Sequence, residues 1–296
     1  MSVNATGVSA SAAGARRAEA LGASLPPLLV AARRVAATVA SGVHGRRRVG
    51  QGDAFWEYRP LLPGESPRRA DPRASAKAAR PFVRETEWEA AQTALLWRDG
   101  SASMAWRSRP TLPLKAERAE LLLLALAALL LRGGERVALL GAARPRSGRA
   151  ALEGIAEQLA SPAAAQGAGL PEPGPLPRHA HAVLIGDFLS PLDQVKARLA
   201  ALAGAGVGGH VLQVLDPAEA ALPYAGRVRF QGMEGEADHL VASVEGVREA
   251  YAAALAAQQA GLAALCAAVG WSFAVHRTDH PPEAALLGLH AALAGP

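Results

Sequence analysis

Five apolar runs of strand length, separated by longer stretches of helical periodicity, constrain the fold of this chain more than any other feature. The runs lie at 92–98, 135–142, 180–186, 209–215 and 271–276. The helical stretches lie at 114–132, 148–160, 190–204, 245–269 and 282–293. A run such as Ala182-Val183-Leu184-Ile185 is apolar without alternation, as a strand covered on both faces must be. Strands of this kind alternating with helices predict βαβ units. The expected fold is therefore α/β, a mostly parallel sheet with helices on both faces and an irregular N-terminal segment.

Composition shifts divide the chain. Residues 1–24 are rich in Ala, Ser and Gly, lack the apolar core of a signal peptide, and read as a flexible tail. Residues 25–90 read as a helix over 25–44, opened by Pro26-Pro27, followed by a charged irregular segment expected to pack on the main domain. Pro60, Pro63, Pro67, Pro72 and Pro81 break any helix there. Residues 91–296 form the main domain, with a Pro/Gly/Ala-rich loop at 161–178 and room for one or two extra strands at 226–244.

Charge and cysteine content narrow the class. The net charge is +5 over 296 residues, and the excess sits in 46–84, where ten Arg or Lys face four acids. With Phe55, Trp56 and Tyr58 nearby, that segment raises an alternative reading, a nucleic-acid surface. The other reading is a solvated arginine-rich layer. One cysteine, Cys266, excludes an intramolecular disulfide and a cysteine zinc cluster. The longest apolar run, Leu121 to Leu131, has 11 residues, short of the about 20 that a bilayer demands. A cytoplasmic protein with no membrane span is the expectation.

Chemistry concentrates at the strand ends. Asp99-Gly100-Ser101-Ala102-Ser103 follows the run ending at Trp97-Arg98 and places a carboxylate and two hydroxyls in one turn. These are hard oxygen donors, suited to Mg²⁺ or Ca²⁺. Asp187 ends a second buried run, and in a parallel sheet it would share an edge with Asp99. Two adjacent carboxylates repel unless a cation neutralises them. The competing role for Asp187 is to cap the helix near Ser190. Asp216-Pro217-Ala218-Glu219 reads as helix initiation. Met104 and Trp106, just past the polar turn, suit either an interface or inward packing. His179-x-His181 lacks a third zinc ligand at matching spacing. There is no Walker lysine motif, no Gly-x-Ser-x-Gly elbow and no positioned general base, so an enzyme is not expected.

Several motifs in order resemble the bacterial "domain of unknown function 58" family, whose members carry a von Willebrand factor A-like domain. They are Gly50-x-Gly52-x-x-Phe55, Pro63-Gly64-Glu65-x-x-Arg68, Asp99-x-Ser101-x-Ser103-Met104, Lys115, Asp187-Phe188 and Asp216-Pro217-x-Glu219. The resemblance covers roughly residues 45–290. It implies a metal-ion-dependent adhesion site holding Mg²⁺, with Mn²⁺ or Ca²⁺ as alternatives. The implied ligands are Asp99, Ser101, Ser103 and Asp187. Such sites also use a threonine from another loop. None stands between the run 135–142 and its helix, where Ser147 is the substitute and Thr111 a second candidate. The implied role is a non-enzymatic protein–protein interaction module, with a MoxR-type AAA+ ATPase as partner.

Overall fold

The structure, a computed structural model, describes residues 29–40, 55–61, 66, 70–76, 81–86, 92–142, 144–161, 167–172, 174, 176–177, 179–235 and 237–293. They divide into two units. Residues within 43–91 form one, and helix α1 (29–40) together with residues from Gln92 onward forms the other.

The smaller unit is an antiparallel pair, β1 (Phe55–Pro60) and β2 (Phe82–Thr86), with the short helix α2 (Pro72–Ser75) between them. This corrects the expectation of an irregular segment. Proline at the end of β1 and before β2 confines the ladder without preventing it, because an edge position loses no ladder bond. Most side chains of the basic segment 46–84, including Arg46, Arg68 and Arg69, lie outside the described residues. So do the tail 1–24 and the side chains of Phe55, Trp56 and Tyr58.

The larger unit carries a five-stranded, all-parallel sheet in the order β4-β3-β5-β6-β9. Its strands are β3 (Thr93–Arg98), β4 (Arg136–Leu139), β5 (Ala180–Gly186), β6 (Gly208–Leu215) and β9 (Ser272–Arg277). All five expected strands are present. The second run, 135–142, contributes only four residues, β4, because Gly141 takes a positive φ of 80° and turns the chain. The strands are joined through α3 (Lys115–Arg132), α4 (Arg149–Leu159), α5 (Leu192–Gly204) and α7 (Arg248–Ala268), and α8 (Pro282–Leu293) follows β9. A hairpin of β7 (Val228–Phe230) and β8 (His239–Val241) realises the extra strands suspected at 226–244. It follows the five-residue α6 (Pro217–Ala221).

Both sheet faces are covered. On one face Leu95, Ala182, Leu184 and Val211 pack with Val195, Leu199 and Leu202 of α5 and with Leu262 and Cys266 of α7. The other face is closed by α3, flanked by α4 and α8. Helix α3 is apolar all round from Leu122 to Leu130, and every one of those residues is buried. That is the signature of a central helix rather than a surface one. Cys266 is buried, and burial pushes its thiol up to about 11.

Helix α7 is long and apolar enough to cross a membrane by length and composition. Here it lies against α5, α6 and β9, and its two glutamines serve the protein interior, as described below.

Close packing requires glycine at position 209. A Cβ on Gly209 in β6 would lie 2.6 Å from the Ala182 carbonyl oxygen and 2.8 Å from the Trp271 ring. Gly209→Ala should therefore destabilise the protein by roughly 1–3 kcal/mol in urea titrations, as overpacking does. Gly154 in α4 has no neighbour within 4 Å of its would-be Cβ. Gly154→Ala should instead stabilise by about 0.5–1 kcal/mol. Equal effects at the two positions would contradict the packing.

Candidate functional site at the carboxyl edge of the sheet

The parallel register brings the two predicted carboxylates together. Arg98 pairs with Ile185, and the Asp99 N–H continues the ladder to the Ile185 carbonyl at 2.9 Å. Asp99 thus stands opposite Gly186, and Asp187 follows on the neighbouring strand. The fit depends on glycine, since a Cβ on Gly186 would lie 2.7 Å from the Asp99 Cβ and 3.0 Å from its Oδ2.

The Asp99-x-Ser101-x-Ser103 turn folds back over these ends. The Ser101 N–H donates to Asp99 Oδ1 at 2.8 Å, an Asx-type turn. Ser101 Oγ and Ser103 Oγ are 3.1 Å apart, and Ser103 Oγ donates to Asp187 Oδ2 at 2.6 Å. Asp99, Ser101, Ser103 and Asp187 therefore form one connected group. Met104 is fully buried beneath it, which settles that residue as core. Asp187 does not cap a helix: its Oδ1 accepts the Leu189 N–H at 3.4 Å, while α5 begins after Pro191 without a side-chain cap.

Ser147 is not brought to this group. Arg146 bridges back to Val137, which pairs with Ala94 near the start of β3. Five residues of strand separate Ala94 from Asp99, about 16 Å at 3.3 Å per residue. Ser147 is thus an exposed residue toward the opposite edge of the sheet. Thr111 lies in an exposed turn before α3. The segment that does approach from another loop is 167–170: a Cβ on Gly169 would sit 3.6 Å from Ser101 Cβ and 3.8 Å from Ser190 Oγ. Glycine offers no side-chain oxygen there.

The structure adds four residues that donor-pattern reasoning missed. Lys115, the first residue of α3, is fully buried, and its Nζ donates to Asp187 Oδ2 at 2.9 Å and to Glu219 Oε1 at 2.6 Å. Glu219 also accepts the Asp216 N–H, while Asp216 accepts the Ala218 N–H, so the expected helix initiation at Asp216 is a complete capping box. Gln213 is buried in β6, and its Nε2 donates to the Asp187 carbonyl at 2.8 Å. Glu234, in the β7–β8 hairpin, accepts the Ser103 N–H at 3.2 Å. Lys115 and Glu219 were visible as motif residues. A lysine opening an apolar helix, against the helix dipole, was the signal that its charge serves something else.

The loop after Asp187 is held under tension. Phe188 takes a φ of 47°, a left-handed conformation that costs a non-glycine residue about 1 kcal/mol or more. It is fully buried against Trp97, with ring centroids 6.1 Å apart. Gln258 of α7 donates to the carbonyls of Phe188 and Ser190, and Gln259 donates to Gln213. Behind Asp99, Arg98 donates to the Asp99 carbonyl and pairs with Glu120 of α3 at 3.3 Å, both side chains nearly buried.

Charge is unevenly compensated. Burial, with the Asp187 charge beside it, pushes the Asp99 carboxyl up to about 7. Burial alone would lower the Lys115 ammonium, but Asp187 and Glu219 hold it above its ordinary value. Burial raises Glu219, with Lys115 opposing. Among the described residues Asp99 has no cationic partner, whereas Asp187 has one.

Hydroxyl–hydroxyl and hydroxyl–carboxylate separations of 3.1 and 2.6 Å approach the roughly 3.0 Å edge of a Mg²⁺ octahedron with 2.1 Å bonds. The donors are all hard oxygens. They are few: among the described residues no group of three or more His, Cys, Asp or Glu could hold a metal ion. The set fits a small, largely hydrated divalent ion and not zinc.

The family described as "Protein of unknown function DUF58" matches residues 57–261, and the chain belongs to it. No curated protein matches. Two solved structures do: a conserved hypothetical protein, BatB, from Bacteroides thetaiotaomicron, and an aerotolerance-related membrane protein from Bacteroides fragilis NCTC 9343 carrying multiple mutations to serine. The first is 15% identical with a TM-score of 0.38, covering 69% of this chain and 98% of that one. The second is 17% identical with a TM-score of 0.38, covering 69% and 99%.

The raised Asp99 carboxyl fixes the sign of a pH dependence. The folded protein binds this proton more tightly than the unfolded chain does. In metal-free buffer stability should fall as pH rises from about 4 to about 7, then level off. Asp99→Asn should remove that slope and stabilise the metal-free protein at pH 8 by roughly 2–4 kcal/mol. Parallel melting curves for the two proteins from pH 5 to 8 would contradict the assignment.

Proposed function

We propose that this DUF58 protein is a non-enzymatic, metal-dependent protein–protein interaction module of the von Willebrand factor A type. The observation that carries this reading is the connected group of Asp99, Ser101, Ser103 and Asp187 at adjacent strand ends, with the Asp99 carboxylate lacking a cationic partner among the described residues. Asp99 and the two serine hydroxyls would hold Mg²⁺, with Asp187 beside them. When bound, the ion would offer an open position to a carboxylate from a partner. This chain's residues contribute the rest: Gly186 lets Asp99 seat, Gln213 and Gln258 fix the second loop, and the Asx turn aims both hydroxyls.

A protein partner also suits the rim. Leu189 and Met233 are 48% and 42% exposed, and each is within two residues of a group that contacts the site. Apolar residues beside a charged centre suit an interface core. We place a MoxR-type AAA+ ATPase first among partners. A hydrolase fits less well, because the Ser103 hydroxyl donates to a carboxylate already paired with an ammonium, a weak base.

Mg²⁺ or Mn²⁺ should raise the melting temperature of the wild type and leave Asp99→Ala unmoved. With so few donors, dissociation constants no tighter than about 10⁻⁴ M are expected. At 10 mM ion that corresponds to a stabilisation of about 2.7 kcal/mol. Capture of the ATPase should be lost with a chelator, with Asp99→Ala and with Leu189→Asp. An equal metal response from wild type and Asp99→Ala would rule out Asp99 as a ligand.

A further inference from the structure

Lys115 brings into this group a buried positive charge that metal ligation does not require. It stands at the first position of α3, where the helix dipole already concentrates positive potential, so helix formation alone disfavours a cation there. It is also sealed from solvent, which an ammonium tolerates only with close anionic partners. Those partners are specific. Asp187 Oδ2 accepts from Lys115 Nζ at 2.9 Å and from Ser103 Oγ at 2.6 Å, so one oxygen serves both the ammonium and the Asp-x-Ser-x-Ser loop. Glu219 holds the same ammonium from the side of α6 at 2.6 Å.

Resting on the metal reading above, we infer that Lys115 is an internal competitor for the divalent ion: its ammonium occupies the Asp187 oxygen nearest the serine loop and so sets how weakly the site binds metal. Glu219 makes the competition reversible. When Asp187 turns to an ion, the ammonium keeps a carboxylate partner and is not stranded. The arrangement also lets the ion-free protein fold with two carboxylates side by side, because one is already neutralised. The ion is then a ligand gained and lost at constant fold, rather than a structural element. Lys115 acts on affinity through Asp187 and is a positioning residue, not a ligand.

The test is calorimetric titration of the full chain with MgCl₂ and MnCl₂, for wild type, Lys115→Gln and Asp99→Asn. Removing a unit positive charge at ion-pair distance should tighten Mg²⁺ binding by roughly tenfold or more. A purely structural lysine would leave affinity unchanged or weaken it. Asp99→Asn should lose the ion. Equal or weaker binding by Lys115→Gln, with Asp99→Asn still defective, overturns the role of Lys115 and leaves the metal reading standing. No heat of binding in either wild type or Lys115→Gln overturns both. Should Lys115→Gln fail to fold, Lys115→Gln/Glu219→Gln removes the extra buried carboxylate and takes its place. A second measurement needs no variant. The lysine ammonium resonance of Lys115, slowed in exchange by burial, should shift during Mg²⁺ titration of the wild type. An ammonium signal unmoved at saturating ion overturns the competition.

Discussion

Two carboxylates stand side by side where β3 and β5 end, and the compensation of their charge organises this edge of the molecule. Parallel pairing dictates the meeting, because the register that aligns Arg98 with Ile185 leaves Asp99 and Asp187 no other place to go. In water the repulsion would be slight. In a buried setting, loss of solvation first and this repulsion second push a carboxyl toward its neutral form unless a cation stands by. The protein uses both routes, an ammonium for Asp187 and a raised proton affinity for Asp99.

Helix α3 carries most of this compensation. Its first two turns place Lys115 between Asp187 and Glu219, and Glu120 against Arg98. They also place Arg118 against the carbonyls of Thr278 and His280 beyond β9. From Leu122 to Leu130 the same helix is wholly apolar and buried under the sheet. One element thus has two functions along its length. The apolar half fixes its position through hydrophobic burial, and the charged half inherits that position with little freedom left. Arg118 also holds His276 neutral in effect: burial, then the guanidinium beside it, drives its imidazole down to about 4.

The sheet was legible in the sequence because its central strands β3, β5 and β6 are largely buried on both faces and so read as mostly apolar runs, with the shorter or more exposed β4 and β9 at the edges. The helices followed from their lengths, and the ends differed by only a few residues. The pair β1 and β2 was not legible, because prolines and charges mask a short antiparallel ladder that needs few apolar residues. The meeting of the oxygen-bearing side chains of Asp99, Ser101, Ser103 and Asp187 was readable from residue type and strand-end position. Ser147 was misplaced because its position depends on an antiparallel return along β4, through the Arg146–Val137 bridge, and nothing local announces that return. Lys115, Gln213 and Glu234 reach the site across 72, 26 and 131 residues of sequence respectively, separations at which no periodicity speaks.

The two loops that meet at the site differ in stiffness, and the difference bears on how a partner would be received. The loop after Asp187 is anchored through three backbone carbonyls by Gln213 and Gln258, and it stores strain at Phe188. It is a fixed wall. The serine loop is tied chiefly through its own side chains: Asp99 to Ser101, Ser101 to Ser103, Ser103 to Asp187. Those bonds join the same oxygens that a cation would take, so ion binding must exchange them rather than add to them. The hairpin carboxylate of Glu234 touches the Ser103 N–H from an exposed position. A carboxylate of the chain's own therefore already rests at the rim where a partner's would arrive. Under the proposed function, docking would be an exchange at every level, hydroxyl bonds for an ion and an internal carboxylate for an external one. An exchange of this kind would be sensitive to small free-energy differences, as the proposed adaptor role would require.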